Sequence, residues 1–340
     1  MSVERFGFVV VVRNWVAASA CLAAVGCSAG ASVDRADSAG GQLTVVTTVS
    51  PLTSVAANVA GPHARVVGLV PEGVNSHEFE PRPSDARLLA SADLVFVNGL
   101  HLETPTVELA KANLRSGARL VEMGEQVVGP DDYVFDFSFP AAAGDPNPHL
   151  WTNPMFGVRY AEIYRDELSR AAPDHADDFA ANAAAYIGKL TALDRATRAA
   201  SATVRTRKLL TYHDSFPYFA REYGWTVIGA IQPADFAEPS AREVAELIRQ
   251  VRAAGVPAIF GSEVFPSDVL ERIGKEAGVR YVDSLRDDDL PGDPGDPEHS
   301  YLGLLRFDFV TMVDALGGDS SALRALDVAD VTQGDVEYRS

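Results

Sequence analysis

Short β-branched apolar runs alternate with longer amphipathic stretches through the first half of this chain. "LTVVTTV" (43–49) precedes "LTSVAANVAG", "ARVVGLV" (64–70) precedes "SDARLLASAD", "LVFVNG" (94–99) precedes "TPTVELAKANLRSG", and "ARLVEM" (118–123) comes next. A strand of five or six apolar residues, then a helix ending at glycine, is the rhythm of a mostly parallel sheet buried on both faces. It predicts an N-terminal α/β lobe over residues 42–172. The rhythm then stops. "DHADDFAANAAAYIGKLTALDRATRAASATV" (174–204) contains no strand-like run; Pro173 precedes it and acidic residues fill its first turns, as a helix N-terminus prefers. This predicts one helix over 173–205, roughly 45 Å long at 1.5 Å per residue, which reads as a strut between lobes. Beyond it "RKLLTYH" (207–213), "WTVIGAI" (225–231), "VPAIFGSEV" (256–264) and "VRYVDSL" (279–285) again alternate with helical stretches, predicting a C-terminal α/β lobe over 206–318. The remaining polar tail, 319–340, suggests no role. The expected fold class is therefore α/β: two lobes, each a mostly parallel β-sheet flanked by helices, joined by one long rigid α-helix.

The first residues have a different character. Arg5 and Arg13 precede "WVAASACLAAVG", an apolar and small-residue segment too short to span a membrane, and "SAGASVDRADSAGG" comes after it. That is the shape of an export signal. "LAAVGC" resembles a bacterial lipobox, so residues 1–27 are expected to be a signal peptide ending at a lipidated Cys27, with 28–41 a flexible tether. The competing reading is a plain signal peptide cut near "SAGA", leaving the protein periplasmic or secreted. Cys21 and Cys27 are the only cysteines, so the mature chain is left without a disulfide or a thiolate metal site.

With 340 residues, 47% hydrophobic and 22% charged, the chain has the composition of a globular protein of two ordinary domains. A net charge of −18 argues against nucleic-acid binding, which needs clustered Lys and Arg. No HExxH or phosphate-loop pattern is present, no Ser/His/Asp motif stands in a recognisable context, and no enzymatic activity is expected.

Four donors stand at corresponding places. His77 lies after the strand 64–70, His149 lies in "DPNPHLWTNP", His213 ends the strand 207–213, and Asp283 sits near the end of the strand 279–285. Each comes from a different connection, two per lobe, and ligands gather outside the carboxyl ends of parallel strands. Three imidazoles and one carboxylate suit a borderline divalent metal such as Zn²⁺. Four protein donors leave little room for a reactive water, so the set looks built for holding. Asp287, Asp288 or Asp289 could replace Asp283. Imidazoles must be neutral to ligate, so affinity is expected to fall as pH drops through roughly 7.5 to 5. Singly, His63, His101, His175 and His299 read as surface residues, with His101 the nearest of them to the site.

"NSHEFEPRPSD", "NPHLWTNP", "TYHDSFPYFAREYG" and "VDSL…SYLGLLRFDFVTMVDAL" resemble the zinc/manganese solute-binding proteins of bacterial ABC importers, over about Leu43 to Leu316. The resemblance implies two α/β lobes on a rigid helix, with His77, His149, His213 and Asp283 as the metal ligands. Manganese-type members usually carry Glu at the third position; His213 points to the zinc branch. Glu263 matches an acidic position of the family, read as supporting the ligands, and Asn147 stands where Asp is common. The long His-rich loop of some zinc members is missing. The same resemblance implies a monomeric extracytoplasmic protein that delivers Zn²⁺ to a permease and its ATPase, anchored through lipid on Cys27. Manganese transport, or a metal-dependent surface adhesin, is the alternative.

Overall fold

A computed structural model describes residues 42–231, 239–262 and 267–339. The export segment, the tether, Cys27 and Glu263 lie outside the described residues. β1 (Leu43–Thr47), β2 (Ala64–Gly68), β3 (Leu94–Val97) and β4 (Arg119–Glu122) pair in parallel in the order β4-β3-β1-β2. All four residues of β3 and the last three of β1 are buried, because helices cover both faces of the sheet. α1 (Ser50–Ala60), α2 (Pro83–Ser91), α3 (Thr104–Asn113) and the single turn α4 (Gly124–Val127) make the connections. Pro51, Pro83 and Pro105 stand in the first turns of α1, α2 and α3, where a missing N–H costs nothing and φ is already helical.

α5 (Pro154–Ala171) and α6 (Ala176–Thr203) form a helical hairpin closed by a 3-10 turn, Pro173–His175. α6 has 28 residues, about 42 Å of helix. Its buried Phe179, Ala183, Tyr186, Leu190, Leu193 and Ala200 recur at helical spacing and form the stripe by which it packs. It touches α1 and α5 on the N-terminal side, and α10 (Tyr301–Ala315) and α7 (Pro217–Tyr223) of the second half. In that half β5 (Lys208–Thr211) pairs with β6 (Thr226–Ala230) and β7 (Ala258–Ser262) with β8 (Arg280–Leu285), both in parallel, and β5 lies against β7. α8 (Ala241–Ala254) and α9 (Asp268–Ala277) end on Gly255 and Gly278, at φ 63° and 75°. There a Cβ would be strained, which is why glycine stops these helices. Among the described residues no helix is long and apolar enough to cross a membrane.

The C-terminal segment departs from expectation. After α11 (Ser321–Arg324) the chain returns to the first lobe, and β9 (Asp335–Glu337) adds a fifth parallel strand beside β2, pairing Arg65 with Asp335 and Val67 with Glu337. The return is anchored along its length. The Asn58 side-chain amide donates to Asp330 at 2.7 Å, and the Val331 N–H donates to Asn58 Oδ1 at 2.8 Å. Arg339 reaches the buried Asp85 at 2.8 Å. A three-residue polar edge strand carries too little periodicity to be read from sequence. Replacing Arg339 with alanine should destabilise the protein by roughly 1–3 kcal/mol, because the buried Asp85 carboxylate loses its cation. An unchanged urea midpoint would show that the strap carries no load.

Candidate metal centre

The first donor is placed by a single 3-10 turn, Ser76–Glu78, in the loop after β2. Asn75 caps this turn by accepting the His77 N–H at 3.1 Å. His149 opens the 3-10 turn Leu150–Thr152, which leads through Asn153 into α5. His213 lies just past β5, its carbonyl accepting from the Ser215 N–H at 3.0 Å. Their Nε2 atoms form a near-equilateral triangle: 3.1 Å from His77 to His149, 3.2 Å from His77 to His213 and 3.0 Å from His149 to His213. Tetrahedral zinc with Zn–N of 2.0–2.1 Å requires donors about 3.3 Å apart. The triangle is therefore already close to ion-sized.

The tautomer of His149 is set by its surroundings. Asn147, fully buried, gives its amide N–H groups to Asp136 at 2.8 Å and to the Asp214 carbonyl at 2.5 Å. Its Oδ1 is left to accept both the backbone N–H and Nδ1–H of His149, each at 2.9 Å. With the proton on Nδ1, Nε2 carries the lone pair and faces the other two rings. Burial, with the His213 ring second, pushes the His77 and His149 imidazoles well below their ordinary range, so both are neutral at neutral pH. Burial and the neighbouring Asp136 charge push Asp214 well up. Replacing Asn147 with alanine frees the ring to rotate and should weaken metal binding about 10–100-fold. The Asp variant keeps the acceptor but sets a carboxylate against Asp136 and the Asp214 carbonyl, so it should recover only part of the binding; equal affinity in the Ala variant would remove this orienting role.

Two aromatic residues shape the pocket. Phe139 packs over all three rings, 5.6 to 6.1 Å between centroids, and Trp151 meets His149 edge-on at 5.0 Å. Nothing in the spacing of polar residues pointed to either. The only available signal was aromatic residues beside proline in the "FSFP" and "HLWTNP" stretches. His77, Phe139 and the exposed His101 line one side cavity of about 210 Å³, so His101 does stand near the centre.

Asp283 is not brought to this triangle. It sits within β8 and is exposed, since the strand runs on to Leu285 before its carboxyl edge is reached. The carboxylates beyond that edge are the ones that approach. Asp287 accepts from the Ser215 hydroxyl at 2.8 Å, and its carbonyl accepts the Trp151 indole N–H at 2.8 Å. Its Oδ2 is buried and has no hydrogen-bond partner among the described residues. The Asp288 side chain adjoins Ser76, next to His77, and Asp289 takes the Gly73 N–H with both oxygens. Burial pushes Asp287 up to about 7 and Asp288 up to about 8. His299, expected at the surface, is buried, with Glu72 Oε2 3.7 Å from its Nε2 and Tyr338 edge-on to its ring; the returning C-terminal segment covers it.

The family described as "ZnuA: Zinc-uptake complex component A periplasmic" matches residues 45–315. Manganese-binding lipoprotein MntA of Bacillus subtilis (strain 168) is 29% identical over 307 residues, covering 87% of this chain and 96% of that protein. Zinc-binding protein AdcA of Streptococcus pyogenes serotype M1 is 31% identical over 254 residues, 71% of this chain but 49% of that protein. Among solved structures, the periplasmic zinc-binding protein TroA from Treponema pallidum superposes with a TM-score of 0.73 at 27% identity, covering 81% of this chain and 99% of that one.

Proposed function

Because this chain belongs to the periplasmic zinc-uptake component A family, whose metal-binding members serve ABC transporters as substrate-binding proteins, we propose that its cargo is Zn²⁺. The observation that carries this reading is the triangle of three imidazole nitrogens 3.0–3.2 Å apart. An all-imidazole face favours zinc, whereas manganese prefers oxygen donors. The fourth donor is a carboxylate of the pair Asp287–Asp288. A buried Asp287 oxygen with no hydrogen-bond partner among the described residues, and the place of Asp288 beside Ser76, support it. The ion is captured outside the cytoplasmic membrane and handed to a permease driven by an ATPase, with Cys27 as the lipid anchor; no reaction is catalysed on it.

Titration of the metal-free protein with Zn²⁺, then with Mn²⁺ in competition, tests the assignment. One tight zinc per chain at this centre, not displaced by a hundredfold excess of Mn²⁺, is the expected result. Ready displacement would make this a manganese carrier. The same calorimetry reports protons. A ligating carboxylate has to be ionised, and burial holds Asp287 and Asp288 up near 7 and 8. Their protonation favours the empty site, so affinity should fall as pH drops from about 8 toward 6. His77 and His149, pushed down by burial, stay neutral through that window, which lies above the one expected from ordinary histidines. Zinc binding at pH 6.5 should release about one proton; release near zero, read across buffers of different ionisation enthalpy, excludes this carboxylate pair.

A further inference from the structure

A second constellation lies at the other end of β2. His63 is the last residue of a 3-10 turn (Gly61–His63) immediately before that strand, whereas His77 lies beyond it. Across from His63 stand His175, which closes the 3-10 turn before α6, and Asp178 in the first turn of α6. His63 Nε2 is 2.9 Å from Asp178 Oδ2, and the two imidazoles stack at 3.9 Å with 19° between their planes. One ligand atom from each of the three residues lies within 4.8 Å of the others. We propose that His63, His175 and Asp178 form a second, weaker site for a borderline divalent metal, with Zn²⁺ as its natural occupant, separate from the His77–His149–His213 centre.

Two histidines and a carboxylate are a donor set that such ions accept in tetrahedral geometry, with the fourth position left to water. The segments bearing them are held before any ion arrives. Asn182 of α6 donates to the Val59 carbonyl at 3.2 Å. A Cβ on Gly61 would meet the Asn182 amide at 3.1 Å, so the Gly61–His63 turn lies directly on the helix. His175 is fixed by its N–H donating to the Ala172 carbonyl at 3.0 Å, and buried Phe179 packs edge-on to both rings. Both histidines are partly exposed, so either ring can turn from its stacked orientation until its lone pair meets a shared ion. The positive end of the α6 dipole opposes a cation here, and the carboxylates of Asp177 and Asp178 in that same turn offset it. An open coordination position and solvent access make this site exchangeable, unlike the buried centre.

The experiment is equilibrium dialysis of the full chain, without a polyhistidine tag, against increasing free Zn²⁺, with metal analysis of the retained protein. Two zinc ions per chain are expected, the second bound more weakly. The double variant His63→Gln, His175→Gln should lose the second, at least about tenfold in affinity, and keep the first. His149→Ala should lose the tight one and keep the weak one, so failure of this site and failure of the transport centre read out on different variants. Zinc beyond one equivalent should raise the melting temperature of the parent by mass action and leave that of the double variant unmoved. The proposal is overturned if the parent saturates at one zinc, or if the double variant takes up the second as readily as the parent.

Discussion

Replacing His149 with alanine is expected to weaken zinc binding by at least two to three orders of magnitude. Structural four-ligand zinc sites bind with about 10–16 kcal/mol at pH 7, so an average ligand supplies roughly 3 kcal/mol or more, about a hundredfold in affinity. His149 should exceed the average. It is nearly fully buried, its lone pair is aimed by Asn147, and its Nε2 is 3.0 and 3.1 Å from the other two donors. Asp283→Asn makes the informative control: an exposed strand residue away from the triangle should alter affinity less than about threefold, while Asp287→Asn and Asp288→Asn bracket the fourth ligand. If His149→Ala binds zinc as tightly as the parent, the triangle is not the cargo site. A large loss on Asp283→Asn would restore that residue as the ligand.

Trp151→Ala is expected to produce the largest loss of stability, about 3–5 kcal/mol, the range for deleting a fully buried aromatic side chain. The indole has no exposed surface, packs on His149, and donates to the Asp287 carbonyl, while the Trp151 carbonyl accepts from the Tyr301 hydroxyl. One side chain thus ties the loop before α5 to the loop after β8. Trp151→Phe keeps most of the packing but orphans the Asp287 carbonyl, and should cost about 1–3 kcal/mol. Chemical denaturation of both variants checks the ranking parent, Phe, Ala. A midpoint for the alanine variant within error of the parent would show that the indole is not a keystone between the loops.

Legibility from sequence divides along physical lines. The strands buried on both faces, such as "LVFV" at 94–97, announce themselves because every side chain must be apolar. The 28-residue α6 is equally plain, since Gly188 is the only weak helix former to interrupt it. The three histidines were readable because each comes after a strand or in a proline-bounded turn, and the carboxyl edge of a parallel sheet is where such loops converge. Asp283 was harder. Its motif resemblance is good, yet whether a strand ends at residue 282 or 285 decides which acidic residue clears the edge, and strand ends are set by pairing with β7, not by local pattern. Phe139 and the covering of His299 depend on contacts between segments remote in the chain, which no local periodicity encodes. The pairing of His63 with His175 was invisible for the same reason. Each looked like an isolated surface residue until the Gly61 turn met α6.

The fifth strand beside β2 comes after every element of the second half in chain order. The sheet of the first lobe is therefore incomplete until the whole second half has been made. Until residues 335–337 arrive, the outer side of β2 offers unpaired N–H and C=O groups, a template for pairing with any other extended chain. Contacts spanning almost the whole polypeptide also form late, because loop closure has to precede them. An isolated first lobe, cut anywhere before the return, would keep that open rim for good and tend to associate edge to edge.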